Sequence, residues 1–271
     1  MNGRRREDYT AANREAWDAS APLHGQGAAW EALLAAAAQP GFSVLDEHLT
    51  GIVGGLGLDG GSAVQICCNN ARELLSLASL GLRPALGIDI SAGFLDQGRK
   101  LAEAAGLSPR LVASDVYSLP QDLGRHDLAL ITIGALGWMP ELAAFFRVVA
   151  GLIAPGGALV VYETHPVLEM FDPAGVDPHA PATSYFERRP FEVPELITYD
   201  GTDHGPGKTG YWFVHTLGDV VTACAATGLR VERLTEYPHT IREPEYDIYA
   251  GREAQVPMSF SLVARMPEGV D

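Results

Sequence analysis

Apolar residues recur along the chain in two rhythms, and the change from one to the other divides it. In the first 60 residues the spacing is helical. Thr10–Ser20 sets alanines and Trp17 among charges at helical intervals, and the alanine-rich run Trp30–Ala38 stops at Pro40-Gly41. Val44–Gly57 is a third amphipathic stretch, ended by the glycine-rich Gly54–Gly61. From Ala63 short β-branched runs alternate with helical patterns. Strands are predicted at Ala63–Cys68, Ala85–Ile90, Arg110–Ala113, Asp127–Ile133 and Ala158–Glu163. Helices are predicted between them at Ala71–Leu80, from the capping Ser91 to Ala105, and at Glu141–Leu152. Strands separated by helices of this length imply right-handed crossovers and a parallel sheet covered on both faces.

After Glu163 that rhythm breaks. Residues 164–210 mix prolines and glycines with Phe171, Tyr185, Phe186, Phe191 and Tyr199, too long for an ordinary connection and too aromatic for a linker. Such a segment inside a compact domain reads as a lid. Strand, helix, strand and strand follow at Gly210–Thr216, Leu217–Thr227, Leu229–Glu236 and Met258–Met266. The expected organisation is a helical cap over 1–60, a core over 61–163, the lid over 164–210, and a closing part of the same sheet over 211–271.

Composition narrows the partners. The 271 residues carry 19 Lys plus Arg against 34 Asp plus Glu, a balance of −15, which disfavours nucleic acid and anionic membranes as partners. The longest apolar runs, such as Leu33–Ala38 and Leu128–Leu136, are far shorter than the roughly 20 residues of a membrane span. Arg4–Arg6 is followed by Glu7-Asp8-Tyr9 rather than the apolar core of a secretion signal. Three cysteines, Cys67, Cys68 and Cys224, form neither a disulfide framework nor a zinc spacing. A reducing cytoplasmic setting, no metal and a small-molecule partner are expected; the oligomeric state is left open.

Ligands of open α/β sheets bind outside the carboxyl ends of the strands. The first loop there is Gln65-Ile66-Cys67-Cys68-Asn69-Asn70-Ala71-Arg72, the second strand ends in Asp89, the third in Asp115 and the fourth in Ile133-Gly134. An acid at the end of the second strand suits a ribose diol, the alternative being a charge before the Ser91 helix. Asp115 is placed to take an adenine amino group or simply to close a turn. A pyrophosphate loop needs G-x-G-x-x-G, and Cys, Asn and Ala hold those positions here, which argues against a nicotinamide dinucleotide. A nucleoside with an amino-acid tail needs no such close backbone approach, and asparagines tolerate left-handed angles.

Five stretches, in order and spacing, resemble the core of class I S-adenosylmethionine-dependent methyltransferases. They are Val64 to Arg72, Gly87-Ile88-Asp89-Ile90-Ser91, Ala113-Ser114-Asp115-Val116-Tyr117, His126 to Pro140, and Leu152-Ile153-Ala154-Pro155-Gly156-Gly157. The flanks Asn13-Arg14-Glu15-Ala16-Trp17-Asp18, His165-Pro166-Val167-Leu168 and Trp212 with His215-Thr216-Leu217-Gly218 are similar to a bacterial small-molecule branch. The resemblance implies a Rossmann-like, doubly wound, mostly parallel seven-stranded sheet with an antiparallel final strand. It also implies S-adenosylmethionine as cofactor, and O- or N-methylation of a small molecule of the kind secondary metabolism requires. Carried over, the methionine moiety lies over Cys67 and Asn69, the ribose on Asp89, adenine between Asp115, Ile90 and Val116, and the sulfonium near Ile133 and Gly134. The family begins this loop with an acid and contains glycines; this chain has Gln65 and none.

Tyr9, Asn13 and Trp17 share one helix face and serve either as core or as a lid on the cofactor. The Cys67-Cys68 pair reads as packing, since no histidine lies near in sequence. His165, His215 and Glu163, in that order, are the candidate bases for an acceptor that must lose a proton, the alternative for the histidines being a structural or substrate-orienting role. The competing reading is a remodelled fold that binds a ligand, or catalyses another reaction, without methylating.

Overall fold

The computed structural model describes residues 3–199 and 204–269. The first three helices are α1 (Arg6–His24), α2 (Gly27–Ala37) and α3 (Glu47–Gly54). The alternating core follows as β1 (Ser62–Ile66), α4 (Arg72–Ser76), β2 (Arg83–Asp89), α5 (Ala92–Ala104), β3 (Arg110–Ala113), β4 (His126–Thr132), α6 (Leu142–Gly151) and β5 (Ile153–Thr164). Beyond it lie β6 (Phe191–Glu195), β7 (Pro206–Trp212), α7 (Leu217–Ala225), β8 (Arg230–Tyr237) and β9 (Ser259–Arg265). Seven strands form one sheet in the order β3-β2-β1-β4-β5-β9-β8. Pairing is parallel from β3 to β5, and β9 runs antiparallel to both its neighbours.

The period of two along the central strands builds two cores. Val64 and Ile66 of β1, Ala129 and Ile131 of β4, and Leu159 and Val161 of β5 face α6 and α7, meeting Phe145, Phe146 and Val220. The alternate residues Ala63, Leu128, Leu130, Ala158 and Val160 face α3 and α4, against Leu49, Ile52 and Leu74. Each such Val, Leu or Phe contributes about 1.5–3 kcal/mol on burial, so these central strands are the rigid platform. Ser91 caps α5 by accepting the Phe94 N–H, and Gly106 beyond its end takes the left-handed φ of +65°. No helix among the described residues is long and apolar enough to cross a membrane.

The strand expected at Gly210–Thr216 belongs elsewhere. Its first part is β7, which pairs antiparallel with β6 in a separate two-stranded sheet, so Tyr211 and Trp212 belong with the insertion and not with the main sheet. Asn13 explains the placement. Its side-chain amide donates to the Tyr211 carbonyl at 3.2 Å and accepts the Tyr211 N–H at 2.7 Å, so it pairs with the edge of β7 as another strand would. The same amide reaches the Trp138 carbonyl at 3.3 Å. Further along, Ile197 N–H donates to Ser20 Oγ at 2.9 Å, and its carbonyl lies 2.8 Å from His24 Nε2. The insertion is thus fastened along α1 at several points. Residues 200–203 of it lie outside the described residues.

At the far end of β7, Phe213 N–H donates to the Gly137 carbonyl at 2.6 Å, and the Trp212 indole lies flat on Gly137. A Cβ at 137 would fall 2.3 Å from that ring. Gly137→Ala is therefore expected to unseat Trp212 and lower unfolding free energy by about 1–3 kcal/mol, read by urea denaturation with tryptophan fluorescence. A variant as stable as the parent would show that the contact does not hold the hairpin down.

Candidate active site

The carboxyl ends of β1 to β5 open into one cavity of about 720 Å³. Its floor is the loop after β1, and that loop has an unusual backbone. Cys67, Asn69 and Ala71 all have positive φ, at 55°, 52° and 60°. The chain therefore takes left-handed turns where glycine would be free of strain, which for ordinary residues costs about 1–2 kcal/mol each. Asp89 at the end of β2 holds the loop in place. Its Oδ2 accepts the Asn69 N–H at 2.7 Å and its Oδ1 the Ser91 N–H at 2.9 Å. A carboxylate oxygen can accept more than one hydrogen bond, and Asp89 lines the cavity, so each oxygen has capacity left for a ribose hydroxyl. Burial pushes this carboxyl up to about 6 against the lowering effect of those N–H groups.

Asp115 closes a turn and also faces the cavity. Its Oδ1 accepts the Tyr117 N–H at 2.9 Å and closes a turn, while the residue also lines the cavity and receives the Thr10 hydroxyl on Oδ2 at 2.6 Å. Ile90, Val116, Ile133, Gly134, Cys67, Asn69 and Trp17 line the cavity as well. Trp17 packs edge-on against Phe94 and Trp138, at 5.6 and 5.3 Å, so it is wall and core at once. Burial and the surrounding carboxylates push the Cys67 thiol well above its ordinary value, which keeps it an uncharged packing group.

Four expected residues lie outside the lining. Tyr9 packs edge-on against Tyr211 and Phe213, at 5.1 and 5.2 Å, and braces the hairpin instead of covering a ligand. His165 is buried with Nδ1 accepting the Val167 N–H at 3.1 Å and Nε2 facing Glu236 at 2.9 Å, away from the cavity lining. His215 Nε2 lies 2.7 Å from the Met139 carbonyl, and burial holds it below the ordinary histidine range. Glu163 turns away from the cavity and accepts the Ala135 N–H at 3.0 Å; burial pushes it up to about 8. It supports the turn after β4 from beneath.

Several lining residues escaped the sequence reading. Glu73, buried at the start of α4, is flanked by Arg72 at 3.0 Å and Arg242 at 2.7 Å, which together outweigh its burial and hold it down at about 2. Both charges of an amino-acid tail have partners in that trio. Gln65, at the start of the loop, is spent within the fold on Thr132 Oγ1 at 2.9 Å and the Leu74 N–H at 2.9 Å, and the acid nearest the loop in sequence is Glu73. Tyr199 of the insertion bends over the floor and accepts from Asn69 Nδ2 at 2.7 Å. On the β5 side Glu169, Trp212, Glu243 and Tyr246 complete the wall. Only Arg72-Glu73 carried a usable signal, their position directly after the loop.

The raised carboxyls make stability pH-dependent. Glu163 titrates near 8, and burial pushes Glu169 and Glu243 up to about 7, whereas unfolded glutamates lose their protons near the ordinary value of 4.5. Between pH 6.5 and 8.5 the folded chain therefore holds more protons than the unfolded one, and stability falls as pH rises. His126, His165, His215 and His239 are held below 6.5, so near pH 6.5 the unfolded chain takes up protons on them and partly offsets the effect of the glutamates; above about pH 7.5 they are neutral in both states. The ligand-free protein is expected to melt a few degrees higher at pH 6.5 than at pH 8.5 by calorimetry. A higher melting point at pH 8.5 would contradict the raised values.

Comparison with known proteins agrees with the geometry. The sequence profile described as a methyltransferase domain matches residues 63–157, which run from β1 to the start of β5. Curated proteins give no match. Among solved structures, an S-adenosylmethionine-dependent methyltransferase from Mesorhizobium loti is 22% identical, with 88% of this chain and 98% of that one covered at a TM-score of 0.51. One described as a putative enzyme of that kind, from Listeria monocytogenes, is 17% identical over 78% of this chain and 93% of that one, with a TM-score of 0.56. The [4+2]-cyclase SpnF is 17% identical over 82% of this chain and 81% of that one, with a TM-score of 0.55. Residues 63–157 thus match the profile of a methyltransferase domain, and the strand order with its cavity at the strand ends is the fold shared with these S-adenosylmethionine-dependent methyltransferase structures.

Proposed function

We propose that this protein methylates a small-molecule acceptor bound beside S-adenosylmethionine in the one cavity, with Asp89 on the ribose, Asp115 near the adenine, and Arg72, Glu73 and Arg242 around the amino-acid tail. The observation that carries the reading is the continuity of the cavity from the strand-end carboxylates Asp89 and Asp115 to a separate wall on β5 and the insertion. S-adenosylmethionine when bound supplies a methyl group on a positively charged sulfur, ready for direct displacement. The chain's part is to align the acceptor with that group and to exclude water, which contributes much of the rate in such a transfer. α1, the insertion and the connection between β8 and β9 form the roof that does so, with Trp17, Tyr199 and Tyr246 turned to the cavity. A balance of −15 favours a small molecule over nucleic acid.

A second reading keeps the cofactor site but not the reaction. It is favoured by the strained loop without glycine, Cys67, Asn69 and Ala71 all lying at positive φ. Calorimetric titration with S-adenosylmethionine and S-adenosylhomocysteine, followed by methyl transfer to a panel of small acceptors, separates the two. Saturable binding with transfer is expected. Binding without transfer to any acceptor would favour the remodelled fold, and no binding would remove the proposal.

Asp89→Ala is expected to weaken S-adenosylmethionine binding about tenfold or more, the loss of hydrogen bonds to a charged acceptor. Wild-type affinity should also fall as pH drops through about 6, because protonation removes an acceptor oxygen. Unchanged affinity in the variant would place the ribose elsewhere.

A further inference from the structure

The β5 side of the cavity holds two carboxyl groups with no cation to face them. Glu169 lies in the turn Pro166–Met170 directly after β5, and Glu243 precedes the turn Pro244–Tyr249 between β8 and β9; both line the cavity. Glu169 accepts from the Trp212 indole and Glu243 from the Thr164 hydroxyl. The charges acting on Glu243 are those of Glu245 and Glu169, all negative. Arg72 and Arg242 are the cations among the described lining residues, and both are bound to Glu73 on the opposite side. Two desolvated acids without a counter-charge are unfavourable in the empty site and favourable to a ligand that brings a positive charge.

The wall around them is aromatic. Trp212 meets Trp138 edge to face at 5.3 Å, and Tyr246 completes the same side. Carboxylates set among aromatic faces recognise ammonium groups through charge and ring quadrupole together. A carboxylate-bearing acceptor would be repelled by the same groups, and a neutral alcohol would leave the acids uncompensated.

Resting on the methyl-transfer reading above, we infer that the acceptor is a basic amine, held as its ammonium by Glu169 and Glu243 against Trp212 and Tyr246. Before transfer the ammonium gives one proton to an oxygen of Glu169 or Glu243. The freed nitrogen lone pair then forms an N–C bond while the S–C bond breaks, its electron pair staying on sulfur. Burial pushes both carboxyls up to about 7, so each holds or releases a proton near neutrality, as a base for an amine requires.

The test is calorimetry on protein saturated with S-adenosylhomocysteine, titrated with 2-phenylethylamine, 2-phenylethanol and phenylacetate. The amine is expected to bind about tenfold or more tightly than the alcohol, with phenylacetate weakest. The double variant Glu169→Gln with Glu243→Gln, checked for folding by its melting curve, should lose the preference for amine over alcohol and keep its affinity for S-adenosylhomocysteine. Equal binding of amine and alcohol, binding of neither, or a preference that survives in the double variant would overturn the inference. Failure of S-adenosylhomocysteine to bind would instead remove the methyl-transfer reading, and the same amine and alcohol titrations on ligand-free protein then decide the amine site alone.

Discussion

The ligand edge of this fold depends on one half-buried carboxylate. Asp89 receives the Asn69 N–H on one oxygen and the Ser91 N–H on the other, and so joins the loop after β1 to the start of α5. Together with the Cys68 N–H on the Ile88 carbonyl at 2.9 Å and the Ala71 N–H on the Cys68 carbonyl at 2.7 Å, that pair of acceptors holds Cys67, Asn69 and Ala71 in left-handed conformations that side chains resist. The constraint extends outward. Ser91 donates its hydroxyl to Asp18 of α1 at 2.6 Å, so the acid that shapes the floor also fixes the helix from which the roof is hung.

The roof is built from three segments distant in sequence, and α1 organises two of them. Asn13 pairs with β7, Ser20 and His24 hold residue Ile197, and Tyr199 is thereby placed over Asn69. The third segment, between β8 and β9, brings Arg242 to Glu73 on one side of the cavity and Glu243 toward Glu169 on the other. A single connection therefore serves both halves. Its arginine completes a trio with Arg72 and Glu73 and its glutamate joins Glu169, so the charges are compensated around Glu73 and uncompensated around Glu169.

What was legible in the sequence follows from the range of the interactions involved. The period of two in β1, β4 and β5 and the glycine stop after α5 are local, and so the sheet and its strand-end acids Asp89 and Asp115 could be read directly. The order of strands and the identity of the cofactor came from resemblance. The strand at Gly210–Thr216 was legible as a strand but not in its partner, because Asn13, about 200 residues earlier, decides where β7 docks. His165, His215 and Glu163 were conspicuous as chemistry at strand ends, yet each is turned toward backbone groups or a neighbouring acid that no spacing reveals. Glu169 and Glu243 were missed for the converse reason. Each is an ordinary glutamate beside a proline-rich turn, and only the folded chain withholds a cation from them.

The most direct measurement is a crystal structure of the protein with S-adenosylhomocysteine. The expected result is a ribose diol within hydrogen-bond distance of both Asp89 oxygens, adenine beside Asp115 and Val116, and the amino-acid tail among Arg72, Glu73 and Arg242, with the wall of Glu169 and Glu243 left open to an acceptor. A nucleoside bound away from Asp89, or an amino-acid tail lying against Glu169 and Glu243, would contradict the division of the cavity on which the proposed chemistry depends.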